Sequence, residues 1–69
     1  MVYYETGIER PEILGSGSQF SSVITTPDEK EARAAFATGS RNYLIRVTIT
    51  NGKRTIDEWD AELKEWARH

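Results

Sequence analysis

Residues 42–56 read Asn-Tyr-Leu-Ile-Arg-Val-Thr-Ile-Thr-Asn-Gly-Lys-Arg-Thr-Ile. Tyr43, Ile45, Val47 and Ile49 alternate with Leu44, Arg46, Thr48 and Thr50. That period of two predicts a strand with one face in a core and the other in water. Asn51-Gly52 follows. It is the dipeptide best suited to a two-residue hairpin turn, which needs two positive φ angles. Lys53-Arg54-Thr55-Ile56 is then the return strand. A two-residue turn sets Val47 opposite Ile56 and Ile49 opposite Arg54. Arg54 is expected at the rim of the apolar face, its stem packed and its head in water.

Downstream of the hairpin the pattern changes. Thr55 and Glu58 have capping-box spacing, and Trp59, Leu63 and Trp66 recur at i, i+4 and i+7. We therefore expect a final helix, capped by Thr55 or Asp57, with both tryptophans on one face. Asp60 and Lys64 add an i, i+4 ion pair on another face.

Upstream, Thr26-Pro27-Asp28-Glu29 opens a first helix. Thr26 is the expected N-cap, Pro27 the first helical residue and Glu29 the partner in a capping box. Gly39 is placed to close it in the left-handed conformation. The apolar side of this helix is small, with Ala32, Ala35 and Phe36. Residues 19–26 read as a second strand, weakly apolar on both faces and suited to an edge. Residues 1–8 are rich in β-formers and read as the first strand. Between these two strands, Pro11, Gly15 and Gly17 with Ser16 and Ser18 give loop chemistry. Ile13 and Leu14 are expected to pin that loop to the core.

The predicted order is β-β-α-β-β-α. This is a small α+β domain, residues 1–69, with a mostly antiparallel four-stranded sheet and helices packed on one face. The Trp59-Leu63-Trp66 stripe is expected to cover the Tyr43-Ile45-Val47-Ile49 face. A β-α-β crossover makes strands two and three parallel if they are neighbours.

Composition narrows function by exclusion. Sixty-nine residues allow one domain with a thin core. Such chains usually need a disulfide, a metal or a partner subunit. There is no cysteine, and the one histidine is His69. Disulfide scaffolds and Cys-ligated zinc are therefore out, and neither a metal nor a cofactor is expected. Packing by Trp, Tyr and Phe, or self-association, is what remains. A Ser-His nucleophile would depend on a terminal histidine. The carboxylates of residues 57–62 fall in the first turns of the predicted last helix, where they complement its dipole. Gly15-Ser16-Gly17-Ser18 lacks the third glycine and the Lys-Ser/Thr of a phosphate loop. We therefore expect no enzyme. The N-terminal residues lack a basic region and a long apolar run, and no stretch is long enough to span a membrane. A cytoplasmic protein is the expectation, in keeping with the absence of cysteine.

Recognition remains. Net charge is −2, but it is unevenly spread. No acid occurs in residues 32–56, whereas Asp57, Glu58, Asp60, Glu62 and Glu65 crowd the end. Three surfaces follow. The first is the predicted acidic helix, with Glu58, Glu62 and Glu65, suited to a nucleic-acid-handling protein complex. The second is the basic hairpin of residues 41–54, with Arg41, Arg46, Lys53 and Arg54. It is the alternative, a nucleic-acid interface, although its wet face offers Leu44, Thr48 and Thr50 where stacking aromatics are wanted. The third is an exposed tyrosine, Tyr3 or Tyr4, beside a strand able to accept a partner strand.

In being very small, acidic, cysteine-free and without an evident site, the chain is similar to the inhibitors carried by phages and mobile elements, anti-CRISPR proteins among them. The likeness lies in size and composition. It implies a protein-binding module that blocks a host complex, or an accessory subunit of one.

Overall fold

A computed structural model describes residues 1–11 and 17–68. The expected pinning of Ile13 and Leu14, and any role for His69, lie outside those residues. The elements are β1 (Val2–Pro11), β2 (Ser18–Thr26), α1 (Glu29–Thr38), β3 (Tyr43–Thr50), β4 (Lys53–Asp60) and β5 (Glu65–Arg68). They form a five-stranded antiparallel sheet in the order β2-β1-β3-β4-β5, with α1 against β1, β2 and β3. The α+β class stands. The four-stranded, two-helix layout is corrected to five strands and one helix.

The central hairpin forms as its residues dictate. Asn51 and Gly52 take φ of 51° and 76°, and Val47 pairs with Ile56, Ile49 with Arg54. Beyond Ile56 the expected helix is replaced by strand. β4 continues its ladder along β3, and a turn at residues 61–64 returns the chain as β5. Trp59 pairs directly with Trp66. Seven residues separate two helical turns, and they equally separate partners across a hairpin with this loop. Asp60 Oδ1 accepts from the backbone N–H of Glu62 (2.9 Å) and of Leu63 (3.0 Å), as a helix cap would. The chain then turns through Lys64 at φ 54°. Leu63 is left 67% exposed in the loop, so it belongs to no packed stripe.

Helix α1 starts two residues later than its sequence signal. Asp28 is the N-cap, accepting from Lys30 and Glu31 N–H, while Thr26 accepts from Asp28 N–H in the preceding turn. Glu29 does not close a capping box. It pairs with Arg33 at 2.7 Å and accepts from the Tyr4 hydroxyl. Gly39 ends the helix in extended conformation, not left-handed. A Cβ there would have to displace the Arg41 guanidinium, which donates to Ala35 O at 3.1 Å.

β1 lies between β2 and β3, so β2 and β3 run parallel without touching. A bulge separates the Thr6–Ile24 and Ile8–Ser21 pairs, with Ser22 at φ 53° in the extra residue's place. Asn42 prolongs the β1 ladder with its side chain, exchanging two 2.8 Å hydrogen bonds with the backbone of Glu9.

The core lies under α1. Ala32 and Leu44 are fully buried and Tyr4 nearly so, with Phe36, Trp59 and Trp66 packed around them. The face covered by α1 is therefore that of Leu44, Arg46 and Thr48. The expectation that a helix covers Tyr43, Ile45, Val47 and Ile49 is reversed: α1 packs on the other side, and the last helix that was to cover them is strand.

Candidate functional site: the helix-free face of the sheet

Alternation along the paired strands sets the membership of the open face. β1 contributes Tyr3 and Glu5, β3 contributes Tyr43, Ile45, Val47 and Ile49, and β4 contributes Arg54, Ile56 and Glu58. In the middle row Tyr3, Val47 and Ile56 are direct cross-strand neighbours. Val47 is only 3% exposed although α1 packs on the opposite side. Ile49 and Arg54 form the row toward the hairpin turn, and Glu5, Ile45 and Glu58 the row away from it.

The far end of the face is aromatic and acidic. Phe20 of β2 meets the Tyr43 ring edge-on at 5.8 Å and stays 56% exposed. The Tyr43 hydroxyl donates to Glu5 Oε2 at 2.9 Å. Burial pushes the Tyr43 phenol up to about 12, and the Glu5 hydrogen bond and the charges of Glu5 and Glu9 act in the same direction. Gly7 makes this possible. It pairs with Tyr43, and a Cβ on it would stand 3.0 Å from the Tyr43 hydroxyl and 3.1 Å from Ser21 O. A shallow depression of about 230 Å3 is lined by Glu5, Glu9, Phe20, Tyr43, Ile45, Ile56 and Glu58. It is smaller than the ~300 Å3 at which small-molecule pockets begin.

The residues singled out from sequence are dispersed by this fold. Tyr3 and Arg54 are on the open face, and so is Glu58. Tyr3, half-buried there, is the tyrosine that the helix leaves accessible, while Tyr4 is in the core. Arg46 is not on a wet face. It lies on the helix side of the sheet, where Asp57 pairs with it at 3.0 Å and its guanidinium is 4.7 Å from the Trp66 ring centre. Arg41 is spent on the end of α1 and on Ser22 O. Lys53 remains exposed by the hairpin turn, on the opposite face to Arg54. The basic hairpin is thus not a continuous patch. The acidic helix does not exist: Asp57 is buried between Arg46 and Arg68, Glu62 sits in the β4–β5 turn and Glu65 begins β5. Two arginines lower the Asp57 pKa through their hydrogen bonds, against the opposing effect of burial.

The aromatics expected to be missing from an open sheet face are present as Tyr3, Tyr43 and Phe20. Their alternation with the covered residues was readable, but which side α1 would take was not. A second cleft, of about 400 Å3, lies at the β4–β5 end among Glu58, Trp59, Asp60, Ala61, Glu62, Ala67 and Arg68. Among the described residues, no three His, Cys, Asp or Glu side chains group so as to hold a metal ion, and no helix is long and apolar enough to cross a membrane. No family model matches the chain, and neither a curated protein nor a solved structure matches it.

Proposed function

We propose that the protein is a non-catalytic protein-binding module, with the helix-free face of its sheet as the docking surface. One observation carries this reading. The more apolar side of β3 is the side without a helix, so Tyr3, Ile45, Val47, Ile49 and Ile56 form a continuous apolar strip across three strands. Contiguous apolar surface rimmed by polar groups marks protein contact more often than solvent exposure. Glu5, Glu9 and Glu58 rim it at one end and Arg54 at the other. An inhibitor or accessory subunit of the kind found in phages and mobile elements, acting in the cytoplasm on a nucleic-acid-handling complex, is the biological form this reading favours.

Nucleic acid is the weaker alternative. Stacking rings are available on the face, but the carboxylates beside them repel phosphates. Arg41 and Arg46 are engaged elsewhere in the fold.

The test is a photo-crosslinking amino acid placed in cells at Ile45, and in parallel at Lys30 on the exposed side of α1. Protein adducts at Ile45 and none at Lys30 support the reading, whether the adduct is another protein or a second copy. Nuclease-sensitive adducts at Ile45, or protein adducts at Lys30 alone, overturn it.

A further inference from the structure

We propose that the occupant of the open face is a second copy of this chain, docked face to face about a two-fold axis through the Val47–Ile56 row. The inference rests on the open face being a protein-docking surface, and it names the partner.

The strip is self-complementary in charge. On β4, Arg54 and Glu58 lie on the same side of the sheet, one side-chain row on either side of Ile56. Each is roughly 7 Å from it, since a strand advances ~3.3 Å per residue. A two-fold axis between two such sheets, perpendicular to the strands at Ile56, lays each strand antiparallel over its own copy. Ile56 then lies over Ile56 and Ile49 over Ile45, around a Val47 that its own neighbours already bury. Arg54 of each copy meets Glu58 of the other, twice. The interface is isologous, as a closed dimer requires. The other in-plane axis, along the strands at β3, lays β4 over β1 of the second copy. It brings Glu58 against Glu5 in the same row and is disfavoured by like charge. Charge thus selects one of two geometries that apolar burial alone leaves equivalent.

The size of the contact sets its strength. β2 lies wholly to one side of this axis, so β1, β3 and β4 are the strands that overlap their copies. Three strands at ~4.8 Å spacing and about seven residues of overlap give roughly 330 Å2 of flat projection, more once side chains corrugate it. That is below the usual size of stable interfaces, so a weak dimer is expected, with a Kd above the micromolar range. The single-copy core is thin: under α1 the fully or nearly buried apolar side chains are Tyr4, Ala32 and Leu44. There is no disulfide to supplement it. Stacking two open faces converts two half-covered sheets into a sandwich with α1 outside on each side. Sheets packed in this way lie ~10 Å apart, within reach of an Arg–Glu pair.

The experiment exploits the symmetry. Wild type, Arg54→Glu, Glu58→Arg and the control Lys30→Glu are run on size exclusion with light scattering over a concentration series, with circular dichroism to confirm folding. The wild type and Lys30→Glu should be dimers. Arg54→Glu and Glu58→Arg should each weaken self-association by at least about tenfold, because each places like charges across the axis. Mixed together, the two variants should form a heterodimer, since every pair across the axis is then opposite in sign. Native mass spectrometry of differently tagged copies reads this directly. A monomeric wild type at all concentrations overturns the proposal, and so does failure of the two folded variants to recombine. If crosslinks from Ile45 to other proteins persist with a monomeric wild type, the second copy is wrong while the docking surface stands.

Discussion

The two faces of the sheet bury side chains by different means. On the side of α1, packing is close but chemically mixed. Leu44 and Ala32 are fully buried, yet around them lie the Arg46–Asp57–Arg68 ion network, the Tyr4–Glu29 hydrogen bond and Arg33 stacked 4.3 Å over Trp59. The open face is simpler and more apolar along β3, with Ile45, Val47 and Ile49 in one line. Across the other strands the balance is the reverse, since Tyr4, Trp59 and Trp66 all lie on the covered side. The covered face holds the single copy together, and the proposed function assigns contact to the open one. An alternating strand thus reports which residues share a side, not which side the fold covers.

The largest effect should come from setting Leu44→Ala beside Ile45→Ala, neighbours on opposite faces. Leu44→Ala opens a cavity under α1 and should cost about 3 kcal/mol, a large fraction of the stability of a domain this small. Ile45→Ala removes surface that α1 does not touch. It should cost less than half as much in urea unfolding at dilute protein, where a weak dimer is dissociated. Equal costs would erase the distinction between the faces.

Gly7→Ala sharpens the comparison from the open side. The added Cβ meets Tyr43 Oη, Ser21 O and Val23 Cα, all within 3.2 Å. Two of the three are backbone atoms and cannot turn aside. A loss of about 1–3 kcal/mol is expected, with the Tyr43–Glu5 bond disturbed. An unchanged urea midpoint would mean that the Tyr43 ring is not held over β1.

How much of this was readable from residues alone can be argued at particular positions. The Asn51-Gly52 turn and the Val47–Ile56 register follow from local chemistry, because a two-residue turn leaves no freedom in pairing. The last element misled for an equally local reason. Trp59 and Trp66 are seven apart, a spacing shared by a helix face and a hairpin pair, and Asp60 caps a single turn as it would cap a helix. The β4 ladder along β3 decides between them, and it is a non-local contact that no window of sequence contains. The site was partly legible. Tyr3, Arg54 and Glu58 do share the open face, but as members of three rows on one sheet, not of a hairpin patch and an acidic helix. Arg46 was misplaced because its charge suggested water, whereas Asp57 and the Trp66 ring make a place for it on the helix side of the sheet.

Titration picks out groups on both faces: burial raises the phenol pKa of Tyr4 on the covered face as it does that of Tyr43 on the open face, whereas Asp57 is shifted down. Tyr43 on the open face has a raised pKa, about 12 against an ordinary value of 10.0. The folded state therefore keeps the proton where the unfolded chain has lost it. This contribution is complete below pH ~10 and is lost as pH rises toward ~12. Tyr43→Phe should flatten that alkaline decline in a series of thermal melts. Asp57 on the covered face is shifted the other way by Arg46 and Arg68. Its contribution is present above the unfolded value of ~3.9 and is lost as pH falls through the lower folded value. Asp57→Asn should flatten the acid decline and leave the alkaline one alone. Crossed results, with Tyr43→Phe acting in acid or Asp57→Asn in alkali, would unseat these assignments.

The smallest effect concerns a flaw on the covered side. Trp66 Nε1 is buried without a hydrogen-bond partner among the described residues, although the ring itself is well placed, 5.2 Å from Trp59 and 5.9 Å from Tyr4 between ring centres. Trp66→Phe gives up part of the ring's apolar contact, which lowers stability. It also removes a donor whose isolation costs about 1–3 kcal/mol. The two terms oppose each other, so the variant should lie within about 1 kcal/mol of wild type in urea unfolding. Trp59→Phe has no such relief. It weakens the stacking of Arg33 on the indole as well as the contact with Trp66, and should be the more destabilising of the pair. If Trp66→Phe proves the costlier, the indole N–H has a partner in solution, and the covered face is better satisfied than its geometry indicates.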